Sequence, residues 1–164
     1  MGYTTWFDGS MKFDKPVDEK LKTFINTFAE RRHMQRDVEI LKEIDPDWKD
    51  HCFNGNLGDE ACNYVKPDDN EFGQSKDDSI IEYNTPPGEC PGLWCDWIIN
   101  DDNELVWNEA EKFYGYIDWL YYLIENYIKP SGYTLNGEIY WQGEAFDDEG
   151  VIVCKNNDIY IGTK

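Results

Sequence analysis

The stretch at positions 109–128, EAEKFYGYIDWLYYLIENYI, constrains the fold more than any other part of the chain. Its apolar and aromatic residues recur with helical spacing, which predicts a helix that buries one wide face. That face comprises Phe113, Tyr116, Ile117, Leu120, Leu123, Ile124, Tyr127 and Ile128. Asn108 is placed to cap the start, and Pro130 and Gly132 end the helix. A helix of this length spans about 30 Å, enough to cross a small sheet.

Acidic residues argue against a membrane-spanning helix in this stretch. Glu111, Asp118 and Glu125 recur every seventh residue, so they mark one solvated face. The first residues, MGYTTWFDGS, have neither a basic start nor an apolar core, so they do not form a secretory signal. We therefore expect a protein without membrane partners that acts in the cytoplasm.

The remaining patterns predict strands joined by short turns. Strand-like segments occur at 3–13, 79–83, 93–99, 105–107, 133–146, 151–154 and 159–161, and a first helix at 18–32. Strands that follow one another through short turns are antiparallel. We therefore predict an α+β fold: a two-layer sandwich in which a mainly antiparallel sheet of five or six strands is covered on one face by two helices, in a single domain spanning residues 1–164.

Two segments are less well defined. After Asp37, the residues Val38, Ile40 and Leu41 fit either a short helix capped by Asp37 or a short strand. From about 47 to 78, glycine, proline and acidic residues interrupt every pattern. Such a long irregular, acidic segment indicates a functional loop or a flexible one.

The charge is strongly negative and unevenly distributed. The chain has 34 acidic and 15 basic residues, a net charge of −19. Positions 1–49 hold ten acidic and nine basic residues, whereas positions 50–164 hold 24 and six. Such a field repels nucleic acid and anionic membranes and attracts a basic surface of a partner protein. The alternative is that the acidity only keeps an aromatic-rich protein soluble.

The five cysteines are predicted to be reduced thiols, because their number is odd and no feature indicates secretion. Cys90 and Cys95 have a spacing found in zinc sites, but Cys95 falls on the apolar face of a predicted strand. Neither His33 nor His51 forms a recognisable Cys–His arrangement. The chain also lacks phosphate-binding glycine motifs. We therefore expect no metal, no cofactor and no catalytic residues.

Two sets of residues are candidates for binding. Asp101, Asp102 and Glu104 lie in one predicted turn, and Asp147, Asp148 and Glu149 lie in another; these six form the predicted partner-binding set. Glu138, Tyr140, Gln142 and Glu144 share one face of the predicted strand 133–146 and form a possible ligand face. Aromatic rings beside carboxylates and amides are suited to stacking on a sugar or a nucleotide and hydrogen bonding to it.

Several stretches of the chain are distinctive: the opening GYTTWFDGSMKFDKP, the segment ERRHMQRD and the later elements PGLWC, EKFY, LNGE and WQGE. In these stretches, and over most of its length, the chain resembles a group of small, acidic, uncharacterised proteins of bacteriophages, prophages and gut bacteria. It excludes the irregular middle segment and implies no catalytic residues. It implies a phage or mobile-element context, where small acidic proteins often inhibit host defence by imitating nucleic acid.

These observations predict an interaction protein more readily than an enzyme. The expected function is inhibition of a host nucleic-acid-binding or defence enzyme, of the anti-CRISPR or anti-restriction type, through nucleic-acid mimicry. Two alternatives stay open at this point. One is an accessory phage protein whose acidity serves solubility, and the other is a small-ligand binder or enzyme that uses the aromatic and carboxylate sheet face.

Overall fold

The computed structural model describes residues 2–67 and 71–163. The chain divides into two compact units, the first comprising Met1–Asn26 with Asp96–Lys164 and the second Thr27–Cys95. The single domain expected from the sequence therefore stays a prediction, and each unit is described by itself. Positions 68–70 of the predicted irregular segment lie outside the described residues.

The described residues form three α-helices and eight strands. The helices are α1 (Glu19–Phe28), α2 (Val38–Ile44) and α3 (Tyr116–Leu123). The strands are β1 (Thr5–Phe13), β2 (Gln35–Arg36), β3 (Ile80–Glu82), β4 (Trp97–Ile99), β5 (Glu104–Trp107), β6 (Leu135–Gly143), β7 (Glu149–Lys155) and β8 (Asp158–Gly162). Six of these strands make one sheet in the first unit, in the order β4-β5-β1-β6-β7-β8. Every neighbouring pair in this sheet is antiparallel, so the predicted α+β class with its antiparallel sheet is confirmed.

The two faces of the sheet differ in exposure, as the alternation along β1 predicts. Thr5 and Met11 are buried, whereas Trp6, Asp8 and Lys12 are exposed. Because side chains alternate along a strand, the first two belong to the inner face and the other three to the opposite face. Helix α3 packs against the inner face, and the hydrophobic core of this unit lies between them.

Two glycines allow β1 and β6 to pair closely without a bulge. The register runs unbroken from Thr5 opposite Gly143 to Phe13 opposite Leu135. Gly9 has a φ of +120°, and a Cβ there would lie 2.4 Å from the carbonyl oxygen of Glu138. Gly137 has a φ of +153° and would meet the carbonyl oxygen of Ser10 at 2.5 Å. Any side chain at either position would push the two central strands apart.

Helix α3 begins later than the sequence predicts. Its first residue is Tyr116, after Gly115 in a left-handed conformation, and Glu109 and Lys112 also have positive φ values. The predicted cap also differs: the side chain of Asn108 accepts a hydrogen bond from the backbone N–H of Ala110 within a turn. The helix continues past Leu123 as one π-helical turn at Ile124–Ile128. The predicted helix over 109–128 is therefore correct only from Tyr116 onward.

The buried face of α3 lies among aromatic rings of the sheet. Trp119, Leu120 and Leu123 are fully buried. The ring of Tyr116 lies 4.9 Å from that of Phe7, and its carbonyl oxygen accepts a 2.8 Å hydrogen bond from Trp97 Nε1. These contacts hold the first residue of α3 against β1 and β4. The helix therefore forms a second layer on one face of the sheet.

The second unit contains α2 and a small sheet of β2 and β3. Asp37 accepts hydrogen bonds from the N–H groups of Glu39 and Ile40, which decides the open alternative at 38–44 in favour of a capped helix. The predicted strand 79–83 is shortened to β3 and pairs with β2, not with the large sheet. The predicted strand 93–99 is also shorter and contributes only β4 to the large sheet.

The irregular segment predicted at 47–78 is organised by short turns in its described parts. Three 3-10 turns occupy Trp48–His51, Phe53–Gly55 and Asp59–Ala61. Leu41, Cys52, Leu57, Ala61 and Tyr64 form a buried cluster beneath them. A disulfide joins Cys62 to Cys90, with their Cα atoms 5.8 Å apart. The prediction that all five cysteines are thiols is therefore wrong for these two, because the fold of the turns brings together residues that the sequence separates by 28 positions.

Candidate functional site: the open face of the large sheet

The face of the large sheet opposite α3 carries polar and aromatic side chains, and we call it the open face. The register of β1 with β6 places three pairs on it: Trp6 opposite Gln142, Asp8 opposite Tyr140, and Ser10 opposite Glu138. Half of the surface of the Trp6 side chain is exposed, and Asp8 and Glu138 are exposed as well. Large aromatic groups exposed on a sheet beside carboxylates are typical of an interaction surface.

Three residues of the predicted ligand face lie on the open face, but their polar groups bind one another or the backbone. The hydroxyl of Tyr140 donates a 2.9 Å hydrogen bond to Glu138, which raises the pKa of Tyr140 and keeps the phenol protonated. The amide of Gln142 donates to the carbonyl oxygens of Gly143 and Ala145, both at 3.1 Å. Glu144 lies beyond the strand and accepts a hydrogen bond from the N–H of Thr4. These residues therefore shape the surface, and Gln142 also holds the following turn.

A shallow cleft of about 350 Å³ opens beside Trp6 and Tyr140. Its lining is Trp6, Phe7, Asp8, Tyr140, Trp141 and Gln142. Asp8 provides the carboxylate of the cleft, without a second carboxylate or a histidine in the lining to act with it as an acid–base pair. The cleft is suited to contact with a partner side chain and does not have the composition of a catalytic centre.

The two predicted acidic turns lie at opposite ends of the sheet. Glu104 pairs with Lys12 near the end of β1, whereas Gly143, which precedes the second turn, pairs with Thr5 at its start. Thr5 and Lys12 are seven positions apart along the strand, which corresponds to about 23 Å at a rise of about 3.3 Å per residue. The six predicted residues therefore form two separate clusters and not one patch.

The six acidic residues also differ in their surroundings. Asp101, Asp102, Asp147 and Glu149 are exposed. The carboxylate of Glu104 lies 3.8 Å from Lys12 Nζ. The carboxylate of Asp148 accepts hydrogen bonds from Tyr3 Oη at 2.7 Å and from Trp141 Nε1 at 3.0 Å. Asp148 therefore stabilises the β6–β7 turn, and the other five are available to a partner.

Further carboxylates lie on the open face between the two acidic turns. Glu149 lies beside Gln142 at one end of the face, and Asp8 and Glu138 lie on the strands between the turns. We call these three residues, together with the six turn residues, the acidic track; Glu149 belongs to both sets. Sequence reasoning included Glu138 and Glu149 but missed Asp8 and Trp6. The alternation of β1 places both on one side of the strand, but the pairing of β1 with β6 is what brings them to this site.

A second polar cluster lies in the second unit, where no site was predicted. Asp45 Oδ2 lies 2.6 Å from His51 Nδ1 and accepts a 2.9 Å hydrogen bond from the hydroxyl of Tyr64. Burial and this hydrogen bond raise the pKa of Tyr64, so its hydroxyl stays protonated. A cleft of about 320 Å³ adjoins Asp45 and Tyr64. The sequence separates these residues by up to 19 positions, and no motif signals their meeting.

An ion-pair network lies beside the same cleft. Asp77 Oδ2 is 2.9 Å from Arg36 Nη1 and 3.3 Å from Lys66 Nζ. Burial alone would raise the pKa of Asp77, but hydrogen bonds from Ser79 and Arg36 outweigh it and lower the pKa to about 2. Each charged group here is matched within the unit. The network therefore stabilises the fold of the second unit, and we assign it no binding role.

Two buried titratable side chains outside these clusters, His33 and Asp96, also have a structural role. Burial lowers the pKa of His33 to about 4, so the ring is neutral at physiological pH, and its Nε2 lies 2.9 Å from the carbonyl oxygen of Phe28. Burial raises the pKa of Asp96 to about 6, against an opposing hydrogen bond from Asn108. Neither group lies in either of the two clefts described above.

The remaining thiols do not have the properties of nucleophiles or metal ligands. Cys52, Cys95 and Cys154 are buried thiols outside the disulfide, and burial raises the pKa values of Cys52 and Cys154 to about 11. Thiols with raised pKa values are inert. Across positions 2–67 and 71–163, no three His, Cys, Asp or Glu side chains group as metal ligands would. The alternative zinc pair is incompatible with the structure, because Cys90 is held in the disulfide.

No protein-family model matches the chain, and searches of curated proteins and of solved structures found no similar protein either. Within the described ranges, no helix has the length and apolar character needed to cross a membrane. The geometry of the open face is therefore the main basis for a functional proposal.

Proposed function

We propose that the protein is an acidic interaction protein that binds a basic surface of a partner protein through the acidic track and the aromatic residues beside it. The partner that we propose is a host enzyme that binds nucleic acid, of the defence type, and the bound protein excludes nucleic acid from that surface. The observation that supports this proposal is that exposed carboxylates cross the open face from one acidic turn to the other, next to Trp6.

The density of charge along the acidic track agrees with this proposal. The track has eight carboxylates over about 23 Å, and one of them is close to Lys12. Each strand of a duplex carries about one phosphate per 3.4 Å of helix axis, or about seven over this length, and the two strands together carry about 14. With Lys12 subtracted, the track therefore has about the charge of one strand and falls well short of a duplex. We infer that the surface of the partner normally binds a single strand.

The resemblance to phage and mobile-element proteins supports a host enzyme as the partner, and we propose the host cytoplasm as the compartment. The disulfide is compatible with that compartment, because Cys62 and Cys90 are buried and reductants need access to sulfur. We propose no reaction, because neither described cleft contains an activated nucleophile or an unpaired acid–base couple.

The test is capture of the partner from host lysate followed by competition with nucleic acid. The tagged protein should retain an enzyme at low salt and release it at high salt, because exposed charges are screened. The purified enzyme should then bind a labelled single-stranded oligonucleotide, and the acidic protein should displace it. A captured enzyme that binds both ligands at once would refute mimicry and leave solubility as the explanation for the acidity.

The acidic turns provide a matched variant for the same measurement. Changing Asp101, Asp102, Glu104, Asp147 and Glu149 to the corresponding amides should slow association and flatten its salt dependence, because charges at a rim act through long-range steering. Asp148 is kept, because its removal would break the hydrogen bonds from Tyr3 and Trp141. Unchanged association and salt slope would exclude the turns from the binding surface.

A further inference from the structure

The two edges of the large sheet differ in how their backbone groups are satisfied. At the β4 edge, the side chain of Asn26 accepts a 2.8 Å hydrogen bond from the N–H of Ile99 and donates a 2.9 Å bond to its carbonyl oxygen. This amide takes the place of a neighbouring strand. At the other edge, β8 pairs with β7 alone among the described residues. One edge is thus closed to further strands and the other is open.

The turn between β7 and β8 identifies the backbone groups that point outward. Asn156 and Asn157 form a two-residue turn with φ values of +50° and +72°, as in a type I′ hairpin. In such a hairpin, the flanking pair Lys155 and Asp158 exchanges hydrogen bonds, and every second pair after it does the same. The N–H and C=O groups of Tyr160 therefore point to β7, whereas those of Ile159 and Ile161 point away from the sheet.

The β8 edge lacks the features that usually prevent strand addition. Its five pairs with β7 run in unbroken register, so no bulge twists it away. It contains neither proline nor lysine, and Asp158 is its one charged residue. Tyr160 and Ile161 are 55% and 50% exposed. Protected edges are very short, charged, bulged or covered, and along its last four residues this edge is neither charged nor bulged.

We propose that an extended segment of the basic partner pairs with β8 as a seventh strand of the large sheet. This inference rests on the proposed function, because the net charge of −19 is the reason to expect a basic segment. A residue opposite Asp158 is expected to be lysine or arginine, and one opposite Tyr160 to be arginine or aromatic. The residues of the partner segment that alternate with these two have side chains on the same face of the sheet as Ile159 and Ile161, and they are expected to be apolar. The partner segment therefore has alternating basic and apolar residues.

A pair of substitutions at Ile161 separates the backbone from the side chain. Ile161→Pro removes an outward N–H without removing a bond to β7, whereas Ile161→Ala shortens the same side chain and keeps the N–H. The probe is an end-blocked peptide of alternating valine and arginine, and the measurement is fluorescence anisotropy at two ionic strengths. We expect Ile161→Ala to bind within about threefold of wild type and Ile161→Pro to bind at least about tenfold more weakly. Equal binding by the two variants would overturn the proposal.

Amide exchange in the wild-type chain tests the same proposal without a substitution. In the free protein the amide of Tyr160 should exchange slowly and those of Ile159 and Ile161 quickly, because only the first is bonded to β7. Saturation with the peptide should slow Ile159 and Ile161 and leave Tyr160 unchanged. Peptide binding without slower exchange at these two amides would contradict strand addition.

The outcomes separate strand addition from the proposed function. Loss of binding after neutralisation of the acidic turns, with no effect of Ile161→Pro, retains the acidic track and overturns the seventh strand. Peptide binding at β8 together with unchanged binding of the captured enzyme by Ile161→Pro also overturns it, because that partner then docks elsewhere. A wild-type dimer that Ile161→Pro converts to a monomer would show a second copy at the edge and would overturn the choice of a basic partner.

Discussion

Replacing Cys62 and Cys90 together by alanine lowers the free energy of unfolding by about 3–4 kcal/mol. The cross-link closes a loop between residues 28 positions apart, and the loss of chain entropy in the unfolded state for a loop of this size corresponds to about 3–4 kcal/mol. The turns at 48–61 lie outside the α-helices and strands, so the cross-link restrains a part of the chain that is built from short turns. Denaturant unfolding of the double variant and the wild type, both purified without reductant, measures the difference.

The matched control is Cys95→Ala, which removes a thiol that lies outside the disulfide and is as deeply buried in the same unit. It should cost about 1 kcal/mol, because it loses packing but no cross-link. Alkylation of the unfolded, unreduced wild type should modify three cysteines, Cys52, Cys95 and Cys154. Modification of all five would contradict the disulfide. In the native state, reduction should be slow, because both sulfur atoms are buried.

Leu120→Ala lowers the free energy of unfolding by about 2–5 kcal/mol, the range for a large-to-small change in a packed core. Leu120 is fully buried in the middle of α3, beside Trp119 and Leu123, so few atoms can move to fill the cavity. Thermal or denaturant unfolding measures the change. Tyr121→Ala is the control on the same helix: Tyr121 is 46% exposed, and its replacement should change stability by less than about 0.5 kcal/mol. Equal effects of the two substitutions would contradict the packing of α3 against the sheet.

The sequence predicted the strands well because their signals are local. The strand-like segments predicted at 3–13, 133–146, 151–154 and 159–161 each correspond to a strand of the large sheet. The start of α3 was predicted wrongly for a physical reason. Phe113 is buried and fits the apolar period of the helix, yet Lys112 and Gly115 beside it have left-handed backbone conformations. An aromatic residue that enters the core from a loop gives the same pattern as one on a helix.

The candidate site depended on pairings that the sequence does not contain. The turns before Glu104 and after Gly143 were each recognisable, but their location at opposite ends follows from the placement of β1 between β5 and β6. The partner of Cys62 was equally unpredictable, because five cysteines allow many pairings and only the folded turns of the second unit bring Cys90 to it.

The most direct test of the proposed function compares two variants of equal charge. The face variant is Asp8→Asn, Glu138→Gln, Glu149→Gln, and the control variant is Glu39→Gln, Glu43→Gln, Glu89→Gln, which changes three exposed acids of the second unit. The measurement is the affinity of each variant for the captured enzyme at two ionic strengths. The face variant should bind at least about tenfold more weakly, with a flatter salt dependence, and the control variant should bind like the wild type. Equal affinities of the two variants would contradict the open face as the binding surface.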